Sequence, residues 1–437
     1  MNSGSSSVPT NEKKGFIRRF VPRTVRHALS FSCAGFASSS GDDDLDPLAL
    51  DETSSEISLK VGAKAVPIAH QRLAEILNNT RFIKRRNRMC AIPSFKVDAF
   101  KVGLLVGRGG FANVHKLEAW CCDCELNEDE NAGNEYVIKT LRVERATTPQ
   151  RLAVVAADLM MEAHILSTLE HPHILALRGI STNGLSSLKR GRVDGLFLIL
   201  DYLPVTLTDR LEEWKNSQVA VDKGLQQSDM TPCNHSLSEQ FQVAIDLASS
   251  LAYLHQKNII YRDLKPSNVG FDHTSVLKLF DFGMAVEVPR TSDPNKTFQL
   301  TGRKGTPRYL SPECIKKKPY NAKTDVFGMA ILTWQLLTLC KPFQNHGTLD
   351  TVMQRVLDGD RPLLKYLPAY LKRSTRAKLH HLLASGWSKE IADRPTMQEM
   401  HSNILEIAQG ELGLDAVRTE DANQHRSNTR SVLCGDS

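Results

Sequence analysis

Four polar side chains in the second half of the chain have the types and spacing to do chemistry together: Asp263, Lys265, Asn268 and Asp281. They belong to Tyr261-Arg262-Asp263-Leu264-Lys265-Pro266-Ser267-Asn268 and, thirteen residues beyond Asn268, to Asp281-Phe282-Gly283. Asn268 and Asp281 can supply the hard oxygen ligands that Mg²⁺ prefers. Asp263 can accept a proton from a hydroxyl. Lys265, two residues on, can stabilise a phosphoryl group in transit. Chance alone would very seldom place these residues at this spacing.

A second set lies upstream. Gly107-Arg108-Gly109-Gly110 opens a G-x-G-x-x-A-x-V pattern, with Ala112 where a third glycine would be expected and Val114 closing it. Glycines let a backbone turn sharply and bring its N–H groups close to a phosphate. They equally suit a plain hairpin, and the loop alone does not decide. A dinucleotide-binding turn is disfavoured, because the residues after the loop read as a strand rather than a helix. Lys139 ends the apolar run Tyr136-Val137-Ile138-Lys139. It is either a solvated strand end or a cation gripping phosphates inside a cleft. Glu162 borders the apolar stripe of a helix, so if buried it needs a cation, and Lys139 is the candidate.

The elements that must position these groups are legible in outline. Residues 100–106 (FKVGLLV) and 111–117 read as a strand and its return, and 136–138 as another strand. Residues 151–169 read as a helix, with Leu152, Val155, Leu159, Ala163, Leu166 and Leu169 at spacings of three and four. His171-Pro172 stops it. A strongly apolar helix over 237–256 leads into the loop of Asp263, and a strand over 276–280 (VLKLF) delivers Asp281.

Composition sets the frame. The chain has 437 residues, 41% hydrophobic and 24% charged, which suits a soluble globular protein and excludes a wholly disordered or fibrous one. The longest apolar stretch, residues 329–340, contains Thr and Gln and is too short and polar to span a bilayer. No apolar run of the secretory kind follows Met1, and the nine cysteines are odd in number and scattered, so an intracellular setting, cytoplasmic or nuclear, is expected. The net charge of +6 is modest and does not call for nucleic acid. Residues 1–40 are basic and residues 41–56 acidic, both rich in Ser and Gly. The division expected is a mostly disordered extension over 1–94, one large domain over 95–409 and a disordered tail over 410–437.

Taken together, and in this order along about 300 residues, these motifs resemble the eukaryotic protein kinase family. The resemblance implies an α+β, two-lobed fold: a small, mainly antiparallel β lobe with one key helix, and a larger, mainly helical lobe. It also implies transfer of the ATP γ-phosphoryl group to protein hydroxyls, with ATP and Mg²⁺ as cofactors. By motif match Asp263 would be the base, assisted by Lys265, with Asn268 and Asp281 as metal ligands. The nucleotide would be held by Val106, Gly107, Arg108, Gly109, Gly110, Val114, Val137, Lys139, Glu162, Asp201 and Leu203. Gly305-Thr306-Pro307 through Ser311-Pro312-Glu313 resembles the substrate-binding segment, with Ser311 in place of the commoner Ala, and Glu313 should pair with Arg394. Lys265 and Gly305-Thr306-Pro307 resemble the serine/threonine type, and the helix from Asp325 through Trp334 looks most like the tyrosine-kinase-like branch. The rival reading is a pseudokinase scaffold that binds nucleotide and partners without catalysis.

Some residues depart from the family pattern. Tyr261 replaces the usual His, and Val137 the small Ala that roofs the adenine. Gly270 stands where a branched residue usually floors it, so a nucleotide ring sitting lower in its slot is expected. Arg262, directly before Asp263, marks family members switched by phosphorylation of the following loop. Thr301 and then Thr297 are the residues on which an upstream kinase would act. Cys121, Cys122 and Cys124 lack the second pair that a zinc site needs. The basic run from Lys84 to Arg88 reads as a solvated helix end, and residues 16–31, interrupted by Pro22, as disordered rather than a membrane-surface helix.

Overall fold

The computed structural model describes residues 30–31, 59–79, 92–110, 112–120, 135–142, 148–192, 194–222, 232–300, 305–345 and 347–413. Thr301, the cysteines at 121, 122 and 124, the basic run 84–88 and residues 16–29 lie outside the described residues.

The first lobe is a sheet backed by helices. Its strands are β1 (Ser30–Phe31), β2 (Ser94–Phe95), β3 (Phe100–Gly109), β4 (Ala112–Trp120), β5 (Tyr136–Leu141), β6 (Leu177–Ser181) and β7 (Phe197–Asp201), in spatial order β1-β3-β4-β5-β7-β6-β2. The central pairs are antiparallel, and the two-residue edge strands β1 and β2 pair in parallel with β3 and β6. The alternation of a pleated strand sorts β5 cleanly. Ile138 packs on one face with Phe100, Leu117, Phe197 and Ile199. Val137 turns to the main core on the other face, which is also the face of Lys139 by the two-residue period.

Helix α1 (Leu59–Asn79) and helix α2 (Pro149–Leu166) complete this lobe. Thr148 caps α2 by accepting a hydrogen bond from the Arg151 N–H at 3.3 Å, and Pro149 takes a first-turn position, where its missing N–H costs nothing. The expected strand over 100–106 runs on to Gly109, because Gly107 and Arg108 pair with Val114 and Asn113. The glycines therefore lie within a hairpin arm, after a register shift between Leu105 and Gly107.

The second lobe is helical: α3 (Leu207–Asp222), α4 (Pro232–Gln256), α5 (Pro312–Ile315), α6 (Lys323–Thr338), α7 (Leu349–Asp358), α8 (Arg373–Gly386) and α9 (Met397–Leu412). Short strands β8 (Val205–Thr206), β9 (Ile259–Ile260), β10 (Val269–Phe271), β11 (Leu277–Leu279) and β12 (Val286–Glu287) frame its functional loops. Helix α6 is buried from Lys323 through Leu337 and serves as the axle of the lobe. A helix apolar all round must be covered on every side. One contiguous core joins both lobes, from Ala65 through α2 and β5 to α6 and Ala408.

The extension is not uniformly irregular. Helix α1 lies inside residues 1–94, and its buried positions Gly62, Ala65, Val66 and Ala69 recur at helical spacing. That corrects the expectation of disorder for this stretch. Small residues and an internal Pro67 made the stripe faint in the sequence.

Candidate active site

Strand β5 places Lys139 opposite Val114 on one side and Leu198 on the other, at the centre of the sheet. Helix α2 packs beneath and presents Glu162. The Lys139 ammonium donates to both Glu162 oxygens, at 2.9 and 2.7 Å, and to Asp281 Oδ1 at 3.2 Å. Both Lys139 and Glu162 are buried. Burial pushes the Glu162 carboxyl up, and the neighbouring ammonium pulls against that shift. A buried charge keeps its charge only with such a partner.

The lower half is a web centred on Asp263. Lys265 donates to its Oδ2 at 2.8 Å, the Asn268 amide donates to the same oxygen at 3.0 Å and to its backbone carbonyl at 2.9 Å, and the Thr306 hydroxyl donates to Oδ1 at 2.9 Å. Burial raises the Asp263 pKa, and Lys265 and Thr306 oppose the rise. The web is itself anchored to α6. Asp325 accepts from the Tyr261 and Arg262 backbone N–H groups at 2.8 and 2.9 Å and lies 2.9 Å from His255 Nε2. Tyr261, where the family usually has His, is fully buried. Its hydroxyl donates to the Phe280 carbonyl, and its ring meets Phe282 edge-on at 5.3 Å. That ties the Asp263 loop directly to the Asp281 loop. Asp281 adopts a left-handed backbone, φ 61°, a conformation Asp tolerates better than most residues.

Between the two halves lies a cleft of about 420 Å³, open to solvent, lined by Val114, Val137, Lys139, Glu162, Asp201, Leu203 and Asp281 among others. Leu175, not singled out from the sequence, also lines it, as does Tyr202 between Asp201 and Leu203. Val106, Gly107, Arg108, Gly109 and Gly110 stand on the β3–β4 hairpin and not among the lining residues. The Asp201 carboxylate is engaged by Arg178 at 2.8 and 3.2 Å, so its backbone is what it can offer a ligand.

The expected low seat beneath the nucleotide ring is overturned. A Cβ at Gly270 would lie 2.7 Å from Leu203 Cδ1 and 3.2 Å from Phe280 Cε1. Those two side chains already fill the floor.

The chemistry of the donor set suits Mg²⁺. Asn268 Oδ1 is buried with no hydrogen-bond partner, an orphan that normally calls for an explanation, such as an ion. No group of three or more His, Cys, Asp or Glu side chains suited to a metal occurs among the described residues. Mg²⁺ commonly takes one or two protein ligands and completes its shell with water and phosphate.

Two further predicted contacts can be placed. Arg394 donates to Glu313 at 2.6 and 2.9 Å, deep in the helical lobe. The Arg262 guanidinium donates to two neutral groups, the Met284 carbonyl at 2.5 Å and the Tyr320 hydroxyl at 3.2 Å. Tyr320 in turn pairs by backbone with Phe298, next to Thr297.

Comparison with known proteins agrees with this geometry. The serine/threonine-protein kinase STY46 of Arabidopsis thaliana is 28% identical over 324 residues, 74% of this chain and 48% of that one. STY17 of the same plant is 27% identical, covering 67% of this chain and 43% of its own. Nek4 of Mus musculus is 28% identical, covering 68% and 31%. The chain thus spans about half or less of the length of these relatives. The protein kinase domain model matches residues 100–404, well over half of the chain, and the chain belongs to that family.

Proposed function

We propose that the chain is a serine/threonine protein kinase that uses ATP and Mg²⁺. The observation that carries this reading is the continuous web from Glu162 through Lys139 to Asp281, facing Asp263 with Lys265, Asn268 and Thr306 across one cleft. In this reading Asp263 takes the proton of a protein hydroxyl as that oxygen bonds to the γ-phosphorus and the bond to the β-phosphate oxygen breaks. Such a transition state is loose, so positioning and charge do most of the catalysis. Lys139 orients phosphates. Lys265 neutralises the group in flight. Asn268 Oδ1 and Asp281 would hold the metal, which draws charge from the transferring group when bound. The hairpin of Val106 to Gly110 would close over the nucleotide, and backbone groups of Asp201 and Leu203 would hold its base.

Residues 95–409 form the catalytic unit in this reading. An intracellular setting, cytoplasmic or nuclear, accords with the scattered, odd set of cysteines. No described helix is long and apolar enough to cross a membrane. An upstream kinase acting on Thr301 or Thr297 would add about −1.5 to −2 charges to the loop after Gly283, and the Arg262 guanidinium, held by two neutral groups, would attract them. Phosphatase treatment should then lower activity. Full activity retained by a Thr297→Ala/Thr301→Ala double variant would remove the switch. The test of the reaction is incubation of the full chain with labelled Mg-ATP and peptides offering Ser, Thr and Tyr together. Label on Ser and Thr is expected. Label on Tyr alone would overturn the class, and nucleotide binding without any label would favour the scaffold reading.

A further inference from the structure

Helix α2 has an unusual environment. From Leu152 to Leu166 none of its residues is exposed. A helix lying on one face of a sheet normally shows water its other face. Here that other face is covered by α1, which packs against both α2 and the turn at Gly184–Arg190. The contact is made by small residues: Ala65 and Ala69 are each 0% exposed and Val66 1%. Helices with such residues at the seam approach closely and leave little room to slide. Arg72 marks the register, at 3.5 Å from Asp158, which lies one turn before Glu162 on α2. Leu73, Ile76 and Leu77 continue the same stripe, partly buried against the core. The family match begins at residue 100, so α1 lies outside the matched domain.

We propose that α1 is a positioning element of the active site: Ala65, Val66 and Ala69 hold α2 where Glu162 reaches Lys139. The inference rests on the phosphoryl-transfer reading above for its kinetic consequence. Its structural part, that α1 fixes α2, does not depend on that reading.

The test compares full-length variants. Ala69→Glu puts an unpaired charge into the seam. Ala63→Glu puts the same charge on the exposed face of the same helix. The expectation is a fall in kcat of roughly tenfold or more for Ala69→Glu, since burying a lone charge is among the most disruptive single changes. Ala63→Glu should match the wild type, and Ala69→Ser should stay close to it. Hydrogen exchange should speed up in residues 149–166 of Ala69→Glu and stay unchanged in α6. On a Glu162→Gln background, Ala69→Glu should add little further loss of kcat, because both changes break the same link. If Ala69→Glu does not fold, Val66→Ala opens a smaller gap in the seam and should show the same pattern more weakly. Unchanged exchange in residues 149–166, or an undiminished further loss on the Glu162→Gln background, overturns the proposal. If the wild type transfers no phosphate, the functional reading fails, while the exchange comparison still decides whether α1 fixes α2.

Discussion

Replacing Glu313 by Ala should harm the fold more than the chemistry, and the structure sets the size of the effect. Arg394 is 1% exposed, the largest of the fully buried side chains among the described residues. Among the described residues it bonds one acid, Glu313, and otherwise the carbonyls of Ser388, Lys323 and Lys389 at 2.9, 3.2 and 3.4 Å. Breaking a buried pair from one side costs about 3–5 kcal/mol, because the remaining charge stays desolvated. The carbonyls, and the Phe327 ring 5.1 Å from the guanidinium, soften that penalty. The lower end, about 3 kcal/mol, is therefore expected. In a domain of this size each kcal/mol moves the midpoint by about 2 °C, so Tm should fall by roughly 6 °C. Thermal and urea unfolding of wild type, Glu313→Ala, Arg394→Met and the double variant form a cycle. The double variant should be more stable than the sum of the single losses implies, by 1 kcal/mol or more on the order of couplings between contacting residues. Additive losses would refute the reasoning.

Other outcomes follow from the site. Asp281→Asn should weaken nucleotide binding in the presence of Mg²⁺ and leave Mg²⁺-free binding nearly unchanged; identical Mg²⁺ dependence in a paired titration would remove Asp281 as a ligand. Gly270→Leu would drive its side chain into Leu203, 2.7 Å from where the new Cβ must sit, and should lower both nucleotide affinity and Tm. Equal or tighter binding would mean that Leu203 yields freely. Thr306→Val removes a donor that favours the charged form of Asp263, so the Asp263 pKa, already raised by burial, should rise further. Activity needs the carboxylate, so it is present above that pKa and lost as pH falls through it. The acid limb of kcat against pH should therefore move to higher pH, and a limb that stays put or moves down would contradict the role given to Thr306.

The local chemistry was legible where residue type and spacing carry the meaning. Asp263, Asn268 and Asp281 could be read because a base and a pair of metal ligands demand particular atoms in order, and Lys139 with Glu162 because a buried acid needs a cation. Contacts between distant segments were legible only where the family resemblance supplied them, as for Glu313 with Arg394. Asp325 holding the backbone of Tyr261 and Arg262 is a product of the tertiary fold that neither spacing nor motif announced. The low seat expected beside Gly270 failed as a sequence reading for a similar reason: deleting a side chain does not open space when Leu203 leans in. Helix α1 went unread because Gly62, Ala65 and Ala69 give little hydrophobic contrast, although their spacing is that of a packed seam.

The most direct test of the central claim, that Asp263 is the base of a phosphoryl transfer, is the turnover of Asp263→Asn measured beside its affinity for Mg-ATP. The substitution keeps shape and removes the proton acceptor, so turnover should fall by about 10²–10⁴-fold while nucleotide binding persists. Turnover equal to that of the wild type would contradict the account.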